Sequence, residues 1–457
     1  MLADLFAGKK IQLLSFYLSL FALAGCSLIT YGIYDTEIHR TFSGMFVGDE
    51  MSNMLKLMIY PTVAAVFVYS RSYLSLRGLL RGEFFSLALF ATLGMMVMVS
   101  ASHLITLYLG LELLSLSLYA MVALQRESAV ATEAAIKFFV LGALASGFLL
   151  YGMSMLYGAT GTLHITELVQ SMQQGIADRD IFIIGLVFIV AGLGFKLCAV
   201  PFHMWVPDIY EGAPTAITLF IGSAPKLAAF GFVMRLLVEG LGELSADWQG
   251  MLIILSVASM TVGNFVAIAQ QNIKRMLAYS TISHIGFVLL GFIAVGENGY
   301  SSAMFYIIAY VLMTLGAFGI IMLLSREGFE ADKITDFKGL NQRNPWLAFM
   351  MLIIMFSMAG VPPMIGFYAK LAVFQAVLEA GYVWLVVVAV ILAVIGAFYY
   401  LRIVKFMYFD VTEDVQPVSF KPDVRILVSA NGLAIILLGM FPQALMGLSL
   451  SAIQHSM

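Results

Sequence analysis

Cysteine is almost missing from this chain: Cys26 and Cys198 lie on separate apolar runs and form no CxxC pair. That excludes thiolate zinc, iron–sulfur and redox-dithiol sites built from this chain alone. Charge is scarce too, at 11% of residues against the roughly 25% of a soluble domain. There is no basic block, and the net charge is −3, so nucleic acid is not expected as a partner. No GxGxxG follows a strand and no P-loop occurs, so neither a nucleotide nor a redox centre is expected here. Closed metal-ligand spacings are equally absent, and the 29 methionines are scattered as packing residues.

What remains is apolar. Hydrophobic residues make up 61% of the 457, and the mean hydropathy is +0.96. Such a chain cannot cover its own surface with polar groups, so its apolar segments must face lipid or one another. A bilayer core needs about 20 apolar residues per helix, and runs of that length recur from end to end. The ~10-residue alternation of membrane strands is lacking. The first run, 11–34, is span-length and has no cleavage pattern of a signal peptide. The chain therefore reads as an all-α polytopic membrane protein with about 13 transmembrane helices: 11–34, 50–70, 84–101, 103–124, 129–157, 180–201, 214–239, 248–270, 276–295, 300–325, 346–378, 382–408 and 425–449.

Lysine and arginine placement supports the odd number. With a cytoplasmic N-terminus and a C-terminus on the opposite side, the cytoplasmic side collects Lys9, Lys10, Arg71, Arg77, Arg81, Arg126, Lys274, Arg275, Arg326, Lys333, Lys338, Arg343, Arg402, Lys405, Lys421 and Arg425. The other side receives Arg40, Arg179 and Arg235. This asymmetry is the one the positive-inside rule predicts. Spans 3–7 and 8–12 form two blocks of five, and an odd block repeated enters the bilayer from the opposite face. The expected organisation is two N-terminal helices (1–82), a first five-helix repeat (83–246), a second, inverted five-helix repeat (247–410) and a C-terminal helix (411–457). The blocks echo each other where Lys196 precedes Val200-Pro201 and where Val361-Pro362-Pro363 precedes Lys370. Proline inside an apolar run predicts two broken helices, and breaks at matching places point to a transport site.

The informative residues are charges inside spans: Glu112, Lys137, Lys196, Lys226 and Lys370. Each costs ~2.5–3.5 kcal/mol at a helix centre on insertion scales, which demands partners or water in the bundle interior. Low dielectric disfavours an ammonium and a nearby carboxylate restores it. Buried lysines with one acid among them therefore suit a switchable proton relay, with Glu112 as the switch. The competing reading is that the lysines join helices by bonding backbone carbonyls. Lys56, near a span end, reads as a snorkelling anchor. His39, His103, His164 and His455 sit at interfaces, in loops or in the tail. His203, beside the first break, and His284, within a span among Tyr279, Ser280, Thr281 and Ser283, are candidate proton carriers.

Four stretches carry a resemblance. GLGFKLCAVPFHMWVPDIYEGAP (192–214) resembles the subunit-N family of bacterial respiratory complex I, the NADH-quinone oxidoreductase. NIKRMLAYSTISHIG (272–286), LGLELLSLSLYA around Glu112 and AGVPPMIGFYAKL around Lys370 are similar to antiporter-like subunits of that complex. The resemblance runs over nearly the whole chain. It implies that Glu112 pairs with Lys196, that Lys226 is the connecting lysine and Lys370 the terminal one, and that Lys137 is a further buried lysine. His203 and His284 would lie on or beside a hydrated axis. Proton translocation would be coupled to quinone reduction elsewhere, with NADH, FMN, iron–sulfur clusters and quinone all in partner subunits. Those partners would be an antiporter-like neighbour, small membrane subunits and the lateral helix of subunit L. A multi-chain Na+/H+ antiporter or membrane-bound hydrogenase would use the same machinery, and a non-conducting scaffold would need none of it. The family also implies 14 spans and an external N-terminus. The difference from 13 is the first helix: either the lineage lacks it or the start codon lies upstream.

Overall fold

The computed structural model describes residues 8–173, 179–411 and 421–457; the side chains of Lys9 and Lys10 lie outside the described residues. Apolar runs become helices because a lipid-facing backbone must satisfy its own hydrogen bonds. In order these are α1 (Gly8–Gly32), α2 (Glu50–Leu76), α3 (Gly82–Val99), α4 (Leu104–Val122), α5 (Ala129–Thr160), the short α6 (Ile165–Gln173) and α7 (Arg179–Leu197). Then come α8 (Trp205–Gly212), α9 (Thr215–Gly222), α10 (Ala224–Val233), α11 (Ser245–Ala269), α12 (Ile273–Ile293) and α13 (Glu297–Leu324). The chain continues through α14 (Pro345–Ala359), α15 (Ile365–Glu379), α16 (Val383–Tyr408), α17 (Pro422–Met440) and α18 (Pro442–Gln454). A small hairpin, β1 (His39–Thr41) with β2 (Phe46–Gly48), caps the α1–α2 connection.

Among the described residues, 12 helical stretches are long and apolar enough to cross a membrane. The segment 346–378 is instead two helices. Asn344 caps α14 by accepting from the Leu347 amide, and Pro345 occupies its first turn, where the missing N–H is harmless. Gly360, at φ 89, ends it in the left-handed conformation that glycine adopts freely. The other break follows α7, where Cys198 takes φ 74 and the chain turns before α8. The two lysines are not placed alike: Lys196 is in the last turn before its break, whereas Lys370 is in the helix after the other.

The inner helices are α9–α10, α12 and α13, while α1, α5, α16 and α17 turn most of their surface outward. The tightest pairings are α3 on α4 and α11 on α12, each made possible by glycine. A Cβ on Gly94 would sit 2.7 Å from the Gly110 carbonyl, and one on Gly286 2.9 Å from the Met260 amide. Small residues of this kind let membrane helices approach closely.

Two charges depart from expectation. Arg235, assigned above to the outer surface, is 1% exposed because Asp49 and Glu239 hold its guanidinium at 2.7 and 2.5 Å. Lys56 is buried as well, its ammonium 5.0 Å from the centre of the Phe46 ring on β2, so it does not snorkel.

Candidate functional site

Glu112 on α4, Ser146 on α5 and Lys196 on α7 meet where three helices pack. The Ser146 hydroxyl donates to Glu112 Oε1 at 2.5 Å and accepts from Lys196 Nζ at 3.3 Å. Lys196 also donates to Ser115 Oγ at 2.9 Å. A hydroxyl both donates and accepts, so the acid and the base communicate through Ser146. Neither serine stood out in the sequence, since serine is ordinary in membrane helices and only the packing aims these hydroxyls at the lysine.

Lys196 and Lys226 line one cavity of about 50 Å3, together with Ser115, Tyr119 and Trp205. That is room for a few waters, each needing ~10–15 Å3. Lys226, 3% exposed, donates to Cys198 Sγ at 2.7 Å and lies 5.7 Å from the centre of the Trp205 ring. The indole is itself fixed by donating to the Phe195 carbonyl at 3.0 Å. The break after α7 thus delivers both the thiol and the aromatic wall around the second lysine.

Helices α11–α16 hold a cluster of their own. Lys370 donates to the carbonyls of Met358 and Ala359, both at 3.0 Å. These belong to the last turn of α14, whose unsatisfied carbonyls carry the negative end of the helix dipole. Its ammonium is 5.3 Å from the centre of the Phe287 ring, one turn along α12 from His284. Both imidazole nitrogens of His284 meet tyrosine hydroxyls: Nδ1 with Tyr306 at 2.8 Å and Nε2 with Tyr400 at 3.0 Å. Tyr400 continues to Ser280 at 2.5 Å and to Tyr399 at 3.3 Å, which donates to Asn264 Oδ1 at 3.0 Å. Of the polar residues flagged around His284, Ser280 joins this network directly. Thr281 pairs with Tyr310, whose ring centre is 5.4 Å from the imidazole. Tyr306, Tyr399 and Tyr400 carried no signal, being three of 20 tyrosines until the fold gathered them.

Lys137 is not buried. Its side chain is 44% exposed, and it pairs with Glu133 at 2.9 Å and Asp208 at 2.8 Å. The reason is its face on α5: it points away from the Ser146 seam toward α8. Asp208 gives its other oxygen to Arg275 at 2.9 Å, and Arg275 also holds Glu211 at 2.9 Å. The cluster therefore ties α5, α8 and α12 together at the surface of the bundle. His203 is buried in the turn before α8, and among the described residues its ring makes no hydrogen bond to a lysine. No grouping of three or more potential metal ligands occurs among the described residues.

Residues 101–396 match the family described as NADH:quinone oxidoreductase/Mrp antiporter, TM. A Nitrosomonas europaea protein named NADH-quinone oxidoreductase subunit N is 82% identical over 457 residues, covering 100% of this chain and 95% of its own. A Thiobacillus denitrificans protein of the same name is 61% identical over 453 residues, covering 99% and 94%. Among solved structures, a chain of respiratory complex I from Thermus thermophilus with bound aureothin superposes at TM-score 0.81 and 30% identity, covering 95% of this chain and 94% of that one. A chain of the Mrp complex from Dietzia sp. superposes at TM-score 0.87, covering 99% and 94%, but at 20% identity it shares only the fold.

Proposed function

The chain belongs to the NADH:quinone oxidoreductase/Mrp antiporter membrane family, among its subunit-N members, and we propose that Glu112, Lys196, Lys226, His284 and Lys370 form its proton relay. As a subunit N it is a membrane component of the proton-translocating NADH:quinone oxidoreductase. The observation that carries the relay is the Glu112–Ser146–Lys196 bridge opening onto the cavity shared with Lys226.

In this reading, movement of charge near Glu112 changes how well it supports an ammonium at Lys196 through Ser146. The proton released passes through the cavity to Lys226. The His284–tyrosine network and Lys370 accept it in the second block. Lys370 suits the terminal position because helix-end carbonyls stabilise its charged form without an acid partner. Lys137 is assigned instead to the surface cluster with Asp208, and His203 to the margin of the path. Recurring helix pairings, α3 with α4 and α11 with α12, support two inverted repeats at 83–246 and 247–410, flanked by 1–82 and 411–457. The N-terminus is assigned to the cytoplasm and the C-terminus to the periplasm, on the lysine and arginine asymmetry. Flavin, iron–sulfur clusters, and the NADH and quinone sites are assigned to partner subunits. Neighbouring membrane subunits and the lateral helix of subunit L are the expected contacts.

The test is an assembled complex carrying Glu112→Ala with Lys196→Ala, reconstituted in liposomes. NADH-driven proton uptake should fall at least severalfold while the complex remains intact. Undiminished pumping by the intact double variant would overturn the relay.

A further inference from the structure

Cys198 stands where glycine would be at ease. Its φ of 74 lies in the left-handed region, which strains a residue with a side chain and leaves glycine unstrained. Other residues held in that region cluster at functional sites. The turn is pinned directly after it: the Ala199 amide donates to the Gly194 carbonyl at 2.7 Å, and the Val200 amide to Ser259 Oγ on α11 at 2.9 Å. The thiol delivered in this way is fully buried between the two lysines of the cavity. Its sulfur accepts from Lys226 Nζ at 2.7 Å and lies 3.9 Å from the Lys196 carbonyl oxygen, toward which the S–H points. Among the described residues, that sulfur is the one hydrogen-bond acceptor the Lys226 ammonium meets.

The type of partner matters because a relay lysine changes its hydrogen-bonding character each time it passes a proton on. An ammonium only donates, whereas the neutral amine carries a lone pair that accepts. The carbonyls that hold Lys370 accept and never donate. A thiol does both.

We infer that Cys198 is the positioning residue of Lys226, its thiol accepting from the ammonium and donating to the amine once the proton has left through the cavity. The assignment rests on the relay proposed above. The thiol keeps its own proton throughout and only exchanges bond partners, the Lys196 carbonyl for the Lys226 amine. Lys226 then holds one position in both charge states. Because Cys198 follows closely after Lys196, a shift of the last turn of α7 reaches Lys226 through the same thiol.

The experiment measures proton uptake per assembled complex in proteoliposomes for Cys198→Gly, Cys198→Ala and Cys198→Ser. Glycine takes the left-handed backbone freely, so Cys198→Gly should assemble as well as the parent. It should nevertheless pump roughly tenfold more slowly, as the loss of one hydrogen bond to a charged group predicts. Cys198→Ala keeps the backbone preference of the parent and should be slowed alike, which serves the comparison if the glycine variant fails to assemble. Cys198→Ser, whose hydroxyl also donates and accepts, should restore most of the rate. Parent-like pumping in the glycine and alanine variants would overturn the inference. So would a serine variant as slow as they are, because the hydrogen bond would then not be what matters. The assembled Glu112→Ala/Lys196→Ala complex separates the two readings. If it is impaired while Cys198→Gly and Cys198→Ala are not, the thiol assignment alone fails; if it pumps fully, the relay itself fails.

Discussion

Lys196 reaches Glu112 through one intervening hydroxyl, that of Ser146, which accepts from the amine at 3.3 Å and donates to the carboxylate at 2.5 Å. An acid and a base joined in this way can exchange support for a proton without forming a closed ion pair, and a small movement of α5 changes their coupling.

Ser146→Ala should therefore uncouple the pair without unfolding the bundle. Hydrogen bonds to charged groups contribute ~1.5–3 kcal/mol, so a loss of roughly tenfold or more in coupled proton transfer is expected. Proton uptake by proteoliposomes, set against NADH oxidation, measures it. Ser146→Thr keeps the hydroxyl and should keep most of the activity. A fully active alanine variant would contradict the bridge.

Lys137 and Lys196 should separate in the same assay. Lys137→Ala removes a partly exposed pair, of a kind whose contribution is ~0–1 kcal/mol, and leaves the cavity untouched. Lys196→Ala removes a group lining the cavity. Pumping should fall several times further in Lys196→Ala. The reverse order would show that the surface cluster conducts.

On α16, Tyr400→Phe removes the hydroxyl at His284 Nε2 together with the contacts to Ser280 and Tyr399. Each buried polar group left without a partner costs about 1–3 kcal/mol. The variant should assemble, lose a few degrees of thermal stability and pump more slowly. Tyr306→Phe, acting at Nδ1 alone, should be milder. Unchanged pumping in the pair of variants would remove these tyrosines from the path.

Gly366 presses against the end of the preceding helix: a Cβ there would lie 2.0 Å from the Ser357 carbonyl oxygen. Gly366→Ala must therefore push α15 away from α14 and draw Lys370 off the carbonyls of Met358 and Ala359. Overpacking of this sort costs ~1–3 kcal/mol. Reduced yield of assembled complex is expected, with further loss of pumping in what assembles. Wild-type yield and pumping would refute the tight second break.

At the start of α4, His103 caps the helix by accepting from the Ile105 amide at 3.2 Å, and its ring packs edge-on to His164 with centres 4.8 Å apart. Burial, and then the neighbouring His164, hold His103 below the ordinary histidine range. A freed imidazole takes up a proton near pH ~6.5, which the packed one refuses. Acidification below that value therefore favours opening, and the contact is strongest above it. Hydrogen exchange at the Leu104 amide, bonded to the Leu163 carbonyl at 2.9 Å, should speed up on going from pH ~7 to ~5, after correction for intrinsic rates. His103→Asn keeps a cap and should abolish the pH dependence; an equal dependence in that variant would refute the assignment.

The membrane, the helical runs, both breaks and the charged residues worth testing were legible in the sequence. Apolar length, proline, and a lysine or glutamate inside an apolar run are local properties that need no partner to be read. Which of those charges the fold brings together was not legible. Lys137 and Lys196 look alike as lone lysines in apolar stretches, yet one turns outward to Asp208, 71 residues away, and the other inward to Ser146, 50 residues away. Ser146, Tyr400 and the carbonyls of Met358 and Ala359 meet their charged or imidazole partners only when helices distant in the chain bring particular faces together. Helix rotation and packing decide that, through glycine contacts and hydrogen bonds whose partners no local pattern specifies.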